Sequence, residues 1–171
     1  MAKSYPRRDS ASGIWRVTDI ADNLQKYGTW PTSALSRAVW FGDDNPVDNR
    51  IYYNTISTTG DATDFGDLDA SKSKMAGVGN FTRGIVAGGQ TPTIINVIEY
   101  ITFMTTGNGT DFGDLSEARE YPAGANSVTR AVIGGGDTPS SSNVIDYFAM
   151  ASLGNAVDFG NLSVARQEAG A

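Results

Sequence analysis

Short apolar runs alternate with polar, glycine-rich stretches along most of this chain, and three of the runs open on an arginine: Arg37-Ala-Val-Trp-Phe-Gly42, Arg83-Gly-Ile-Val-Ala-Gly88 and Arg130-Ala-Val-Ile-Gly-Gly135. Runs of this length closed by glycine predict strands. Proline-bearing turns at Pro46, Pro92 and Pro139 follow, and each leads to a longer apolar segment, RIYYNTIST, VIEYITFMT or VIDYFAMAS. Within these segments Ile51 and Tyr53, Ile98 and Tyr100, and Ile145 and Tyr147 are two residues apart. That spacing puts each pair on one face of a strand, pointing into a core between sheets. Ile56, Phe103 and Met150 take the other parity, so both faces of the sheets are expected to be covered.

A third segment completes each pattern. TDFGDL at 63–68 recurs unchanged at 110–115 and returns as VDFGNL at 157–162, so that Asp64, Asp111 and Asp158, with Phe65, Phe112 and Phe159, recur every 47 residues. A period of that length marks one supersecondary unit. The expected fold is all-β, with three 47-residue sheet repeats at about 36–82, 83–129 and 130–171 inside a domain spanning 32–171. Ahead of it lies a leader, residues 1–31, in which TDIADNLQKY places Ile20, Leu24 and Tyr27 at helical spacing. Thr18 caps and Gly28 stops this short helix, and with Trp15 and Trp30 on its flanks it reads as a docking segment.

Composition and charge narrow the function. The chain carries 13 basic and 19 acidic residues, a net charge of -6, yet Lys3, Arg7, Arg8 and Arg16 all lie in the leader. The remaining body is acidic and repels phosphate backbones, which argues against nucleic-acid binding. No apolar stretch reaches the roughly 18 residues of a membrane helix, so no membrane insertion is expected. With neither histidine nor cysteine in the chain, activated serine or cysteine nucleophiles and zinc sites are implausible, and a protein kinase, which carries DFG once beside a histidine-containing loop, is ruled out. Gly134-Gly135-Gly136 lacks the lysine and Ser/Thr of a phosphate-binding loop. The repeated acids Asp64 and Asp67, and Asp111 and Asp114, could draw calcium, but their recurrence with the fold period favours a structural role in turns. The repeated cations Lys72, Arg119 and Arg166 are expected to pair with those acids as a ladder. Neither a cofactor nor an enzymatic activity is expected.

Two resemblances extend this reading. The set Gly88-Gly89, Glu99-Tyr100, Phe112, Leu115 and Ala118-Arg119, with Gly134-Gly135, Asp146-Tyr147, Phe159, Leu162 and Ala165-Arg166 in the third copy, resembles Kelch repeats. The first copy, with Gly42-Asp43 and Tyr52-Tyr53, is degenerate, and Phe stands where Kelch repeats prefer Trp. This likeness implies propeller blades. Three blades fall short of the roughly 4 to 8 of a closed propeller, leaving a partial propeller with open edges or a triangular three-sheet prism. Open edges imply a homo-oligomer, either two chains sharing a ring or a three-fold assembly, whereas the prism needs no partner.

The tandem segments STTGDATDFGDL, MTTGNGTDFGDL and ASLGNAVDFGNL, together with the leader's SGIW and TWP, resemble repeat proteins of tailed bacteriophages, especially those of marine and cyanobacterial hosts. That resemblance implies a virion structural protein of the tail, fibre or capsid surface, assembled in the host cytoplasm with other virion proteins. Its loops 89–96 and 136–143, which differ between copies, imply recognition of a host-surface glycan or protein. The alternatives are a soluble lectin-like module and a glycosidase that uses two carboxylates.

Overall fold

A computed structural model describes residues 37–168, and the predicted helix, with Trp15, Ile20, Leu24 and Trp30, lies outside them. Among the described residues all regular structure is β. The first sheet contains β1 (Arg37–Asp44), β2 (Val47–Thr55) and β3 (Thr63–Asp67) in that order. β4 (Ala76–Gly79), β5 (Arg83–Ala87), β8 (Val97–Thr102) and β9 (Thr110–Asp114) form the second, from which the small hairpin β6 (Gln90–Thr91) and β7 (Thr93–Ile94) branches. β10 (Ala123–Asn126), β11 (Arg130–Gly134), β12 (Val144–Ala149) and β13 (Val157–Asn161) form the third. All pairings are antiparallel, and the sheets close into neither a barrel nor a propeller.

Each sheet has two apolar faces, as the two parities predict. Ile51, Phe65 and Leu68 of the first sheet are buried against Val86 and Ile101 of the second. Ile85, Ile98, Phe112 and Leu115 of the second sheet are buried against Ala131, Ile133, Phe148 and Met150 of the third. Each core therefore sits between sheets, and no sheet has a core of its own. Among the described residues only the middle sheet has both faces covered. On the outer face of the first, Ile56 is exposed, whereas its counterparts Phe103 and Met150 are half-buried and buried.

The DFG segment solves a parity problem. Phe65 and Leu68 are three apart and would fall on opposite faces of a regular strand. In every sheet, however, the register slips at the same place: Ile51 pairs with Gly66 but Tyr52 with Asp64, and the same bulge recurs at Ile98/Glu99 and Ile145/Asp146. Phe65 and Phe112 are the extra residues of these bulges, so each re-aims into the core beside the leucine that follows. Gly66 and Gly113, at φ of 149° and 146°, supply a backbone conformation that only glycine adopts freely.

Candidate functional site

The residues that recur every 47 positions converge on the two junctions between sheets, which share one set of contacts. The strand-opening arginines lie over the repeat tyrosines, Arg37 4.5 Å from the Tyr53 ring centre and Arg83 4.6 Å from that of Tyr100. From there they donate across the junction, Arg37 Nη1 to the Phe103 carbonyl at 2.5 Å and Arg83 Nη1 to that of Met150 at 2.8 Å. The tyrosines in turn pack edge-on against the DFG phenylalanines, with centroids 5.9 Å apart for Tyr53–Phe65 and 6.0 Å for Tyr100–Phe112. Phe112 then reaches Phe148 of the next sheet at 5.1 Å.

A backbone clamp lies alongside. Gly107 and Gly109 donate their N–H groups to the carbonyls of Phe65 and Asp67 at 2.8 and 2.7 Å, while Asn108 Oδ1 accepts the Asp67 N–H at 3.1 Å. The second junction repeats this, with Gly154 and Ala156 donating to Phe112 and Asp114 at 2.8 and 2.7 Å and Asn155 Oδ1 accepting from Asp114 at 3.1 Å. The loop before each DFG segment thus docks on the DFG strand of the sheet before it. Gly66 and Gly113 must be glycine on this count too, because a Cβ there would stand 2.5 Å from the carbonyl carbon of Gly107 or Gly154.

At the centre of each junction lies a buried ion pair. Lys72 bonds Glu99 of the next sheet and also Asp69 at 2.6 Å, and Arg119 Nη2 meets Asp146 Oδ2 at 2.7 Å. All four central residues are almost wholly buried. Arg119 further donates to the carbonyls of Gly135 and Val144 at 3.1 and 2.9 Å, and Asp146 accepts from the Ser116 amide and hydroxyl at 3.0 and 2.9 Å. Lys72 and Arg119 therefore pair chiefly with acids of the tyrosine strand, not with Asp64, Asp67, Asp111 or Asp114 as spacing suggested, and they do so buried rather than at the surface. Asp64, Asp111 and Asp158 are exposed, and Asp158 accepts the Gly160 N–H at 3.0 Å, a turn-setting contact.

A sequence signal for this pairing exists. Glu99 lies 27 positions after Lys72, and Asp146 lies 27 after Arg119. In the first copy the acid is replaced by Tyr52, and 27 positions before it stands uncharged Gln25.

Electrostatics at the first junction lead to a measurable pH dependence. Burial pushes the Glu99 carboxyl above the ordinary glutamate range, against the pull of Lys72. For Asp69, burial also pushes upward, but its hydrogen bonds to Lys72 and Glu99 hold it below its usual range. Lys72→Met removes the pull from both. Glu99 then holds its proton more tightly in the folded than in the unfolded chain, so stability falls as pH rises above about 4.3. Asp69 loses the stability its lowered value contributed above its unfolded pKa. Both effects act in one direction: the deficit of Lys72→Met relative to wild type is small near pH 4 and grows to about 1–3 kcal/mol at pH 7. Urea unfolding across this range measures it, and a deficit independent of pH would contradict the account.

The third copy departs from the other two because no sheet follows it among the described residues. Phe159 lies 5.8 Å from Tyr147 and Arg130 4.7 Å from the same tyrosine, as in the other repeats, but Phe159 is 55 % exposed and Arg166 is also exposed. Among the described residues no group of three or more His, Cys, Asp or Glu side chains is placed to hold a metal ion. No protein-family model matches this chain, and no curated protein is significantly similar to it.

Proposed function

We propose that this chain is a structural component of a bacteriophage particle, of the tail, fibre or capsid surface, built from Kelch-like sheets as an incomplete propeller or a three-sided prism. One observation carries the reading: charged residues that recur between copies are used in holding sheet to sheet, as at Lys72–Glu99 and Arg119–Asp146, while the loop tips that carry Thr93 and Ser140 are exposed and vary. Architecture and display divide the sequence between them. Around the recurring prolines Pro92 and Pro139, Thr93 of the β6–β7 hairpin is replaced by Ser140 and Ile94 by Ser141, and Thr93, Ser140 and Ser141 are exposed, so these loops serve contact with a host-surface glycan or protein, or with other virion proteins.

Mass spectrometry of purified particles, followed by location of the protein's density on the virion, tests the assignment, and absence from infectious particles overturns it. Exchange of loop 136–143 for the loop of the second copy is expected to abolish binding of the purified protein to host cells without unfolding it. Unchanged binding would confine the role to assembly.

A further inference from the structure

The outer face of the third sheet is one half of a junction, and the outer face of the first is the other half. Arg130, the Phe159 carbonyl, Asn161 and Arg166 hold the positions that Arg83, the Phe112 carbonyl, Asp114 and Arg119 hold at the filled second junction. Across the molecule, the loop Gly60-Asp61-Ala62 corresponds to Gly107-Asn108-Gly109 and Gly154-Asn155-Ala156. The apolar parts match as well: Val157, Phe159 and Val164 are 55–61 % exposed on one face, and Trp40 and Ile56 are 60 % and 68 % exposed on the other.

We propose that the third sheet of one chain docks on the first sheet of a second copy, head to tail, through a third junction of the kind that already joins the sheets within the chain. A pair of exceptions to the repeat argues for a second copy. At the internal junctions an asparagine, Asn108 or Asn155, accepts the backbone N–H of an aspartate, Asp67 or Asp114. The two outer faces, uncovered among the described residues, invert this: the loop residue is Asp61 and the strand residue is Asn161. Asp61 of the second copy accepts the Asn161 N–H with a full negative charge, which strengthens the bond, and it meets no opposing carboxylate. Had position 161 kept the aspartate of the other copies, two like charges would stand together. The departures are complementary to each other.

The remaining contacts follow by analogy with the internal junctions. Arg130 donates to the Ile56 carbonyl of the second copy, while the Gly60 and Ala62 amides of the second copy donate to the carbonyls of Phe159 and Asn161. Only the ion pair has no equivalent, since Arg166 meets Tyr52 of the second copy where the internal junctions set a carboxylate, and it lies on that ring instead. Gly60 is outside the positive-φ region that Gly107 and Gly154 occupy at 157° and 144°, so its loop must reshape on docking. The contact is accordingly weaker than the internal junctions and reversible. A head-to-tail contact closes into a ring if its rotation permits, and otherwise extends as a filament.

Sedimentation equilibrium of the full chain tests the proposal. Concentration-dependent association is expected in the micromolar range, at ordinary interface affinities. Asn161→Asp sets two carboxylates against each other and weakens association about tenfold or more. Adding Asp61→Asn to that variant recreates the internal Asn–Asp arrangement and restores association to within about threefold of wild type. Both positions are exposed, so neither change threatens the fold. A monomer at every concentration, association indifferent to Asn161→Asp, or failure of the second substitution to rescue the first would each overturn the proposal. Absence of the protein from phage particles would end the virion reading and leave this one standing.

Discussion

Asp146→Ala is expected to lower the stability of the third sheet's junction by about 3–5 kcal/mol, the cost of leaving a buried charge without its partner. Arg119 has no exposed surface, and without Asp146 it keeps only the more distant Glu117 carboxylate at 3.6 Å. The Ser116 amide and hydroxyl lose their acceptor at the same time. Asp146→Asn keeps an oxygen for Ser116 while removing the charge, so its loss is smaller, about 1–3 kcal/mol. Because the sheets of the described residues are joined chiefly to their neighbours, the damage stays local, and the third sheet should melt ahead of the others in a separate transition. Urea unfolding followed by tyrosine fluorescence, with proteolysis to locate the first segment released, checks both points. A loss within the roughly 0.5 kcal/mol of an ordinary surface substitution would show that the pair is not what joins these sheets.

Gly113→Ala is expected to cost more than Gly160→Ala, although the two glycines occupy the same place in the repeat and have similar φ, 146° and 138°. The backbone strain is common to both, about 1–3 kcal/mol for a non-glycine residue held in that region. What differs is the neighbour: a Cβ at Gly113 stands 2.5 Å from the Gly154 carbonyl carbon, whereas one at Gly160 meets nothing within 4 Å. The backbone donors of Gly154 and Ala156 sit there too, so the loop must withdraw and surrender its bonds. An excess of about 1–3 kcal/mol for Gly113→Ala over Gly160→Ala measures that overpacking. Equal losses in the two variants, read by thermal or urea unfolding, would mean that the DFG glycine is required for its backbone alone.

Much of the fold is legible in the sequence because strand patterning is local. The arginine-led runs, the Ile–Tyr pairs and the 47-residue period follow from where apolar side chains fall, and strands form where predicted. Period-two reasoning also finds the two-faced sheets, since Ile98 and Tyr100 pack forward while Ile101 and Phe103 pack back. It fails at the DFG segment, where a bulge adds a residue and brings Phe65 and Leu68 to one face. Nothing in the spacing of TDFGDL distinguishes a bulge from a regular strand.

Pairings across a junction are a different matter. Lys72 stands close in sequence to the acids of its own DFG segment, and a local reading assigns it to them. Its main partner, Glu99, belongs to the next sheet, and only the packing of that sheet brings the two together out of water. The sequence by itself determined the three repeated sheets of the described residues, which residues open their arginine-led strands and which side chains seek a core, because these depend on alternation and turns along a few neighbouring residues. Tertiary structure alone decided which charges meet, which glycines must admit a neighbouring loop and which faces of the described sheets are packed together, because those contacts join residues tens of positions apart whose meeting depends on how one twisted sheet lies on the next.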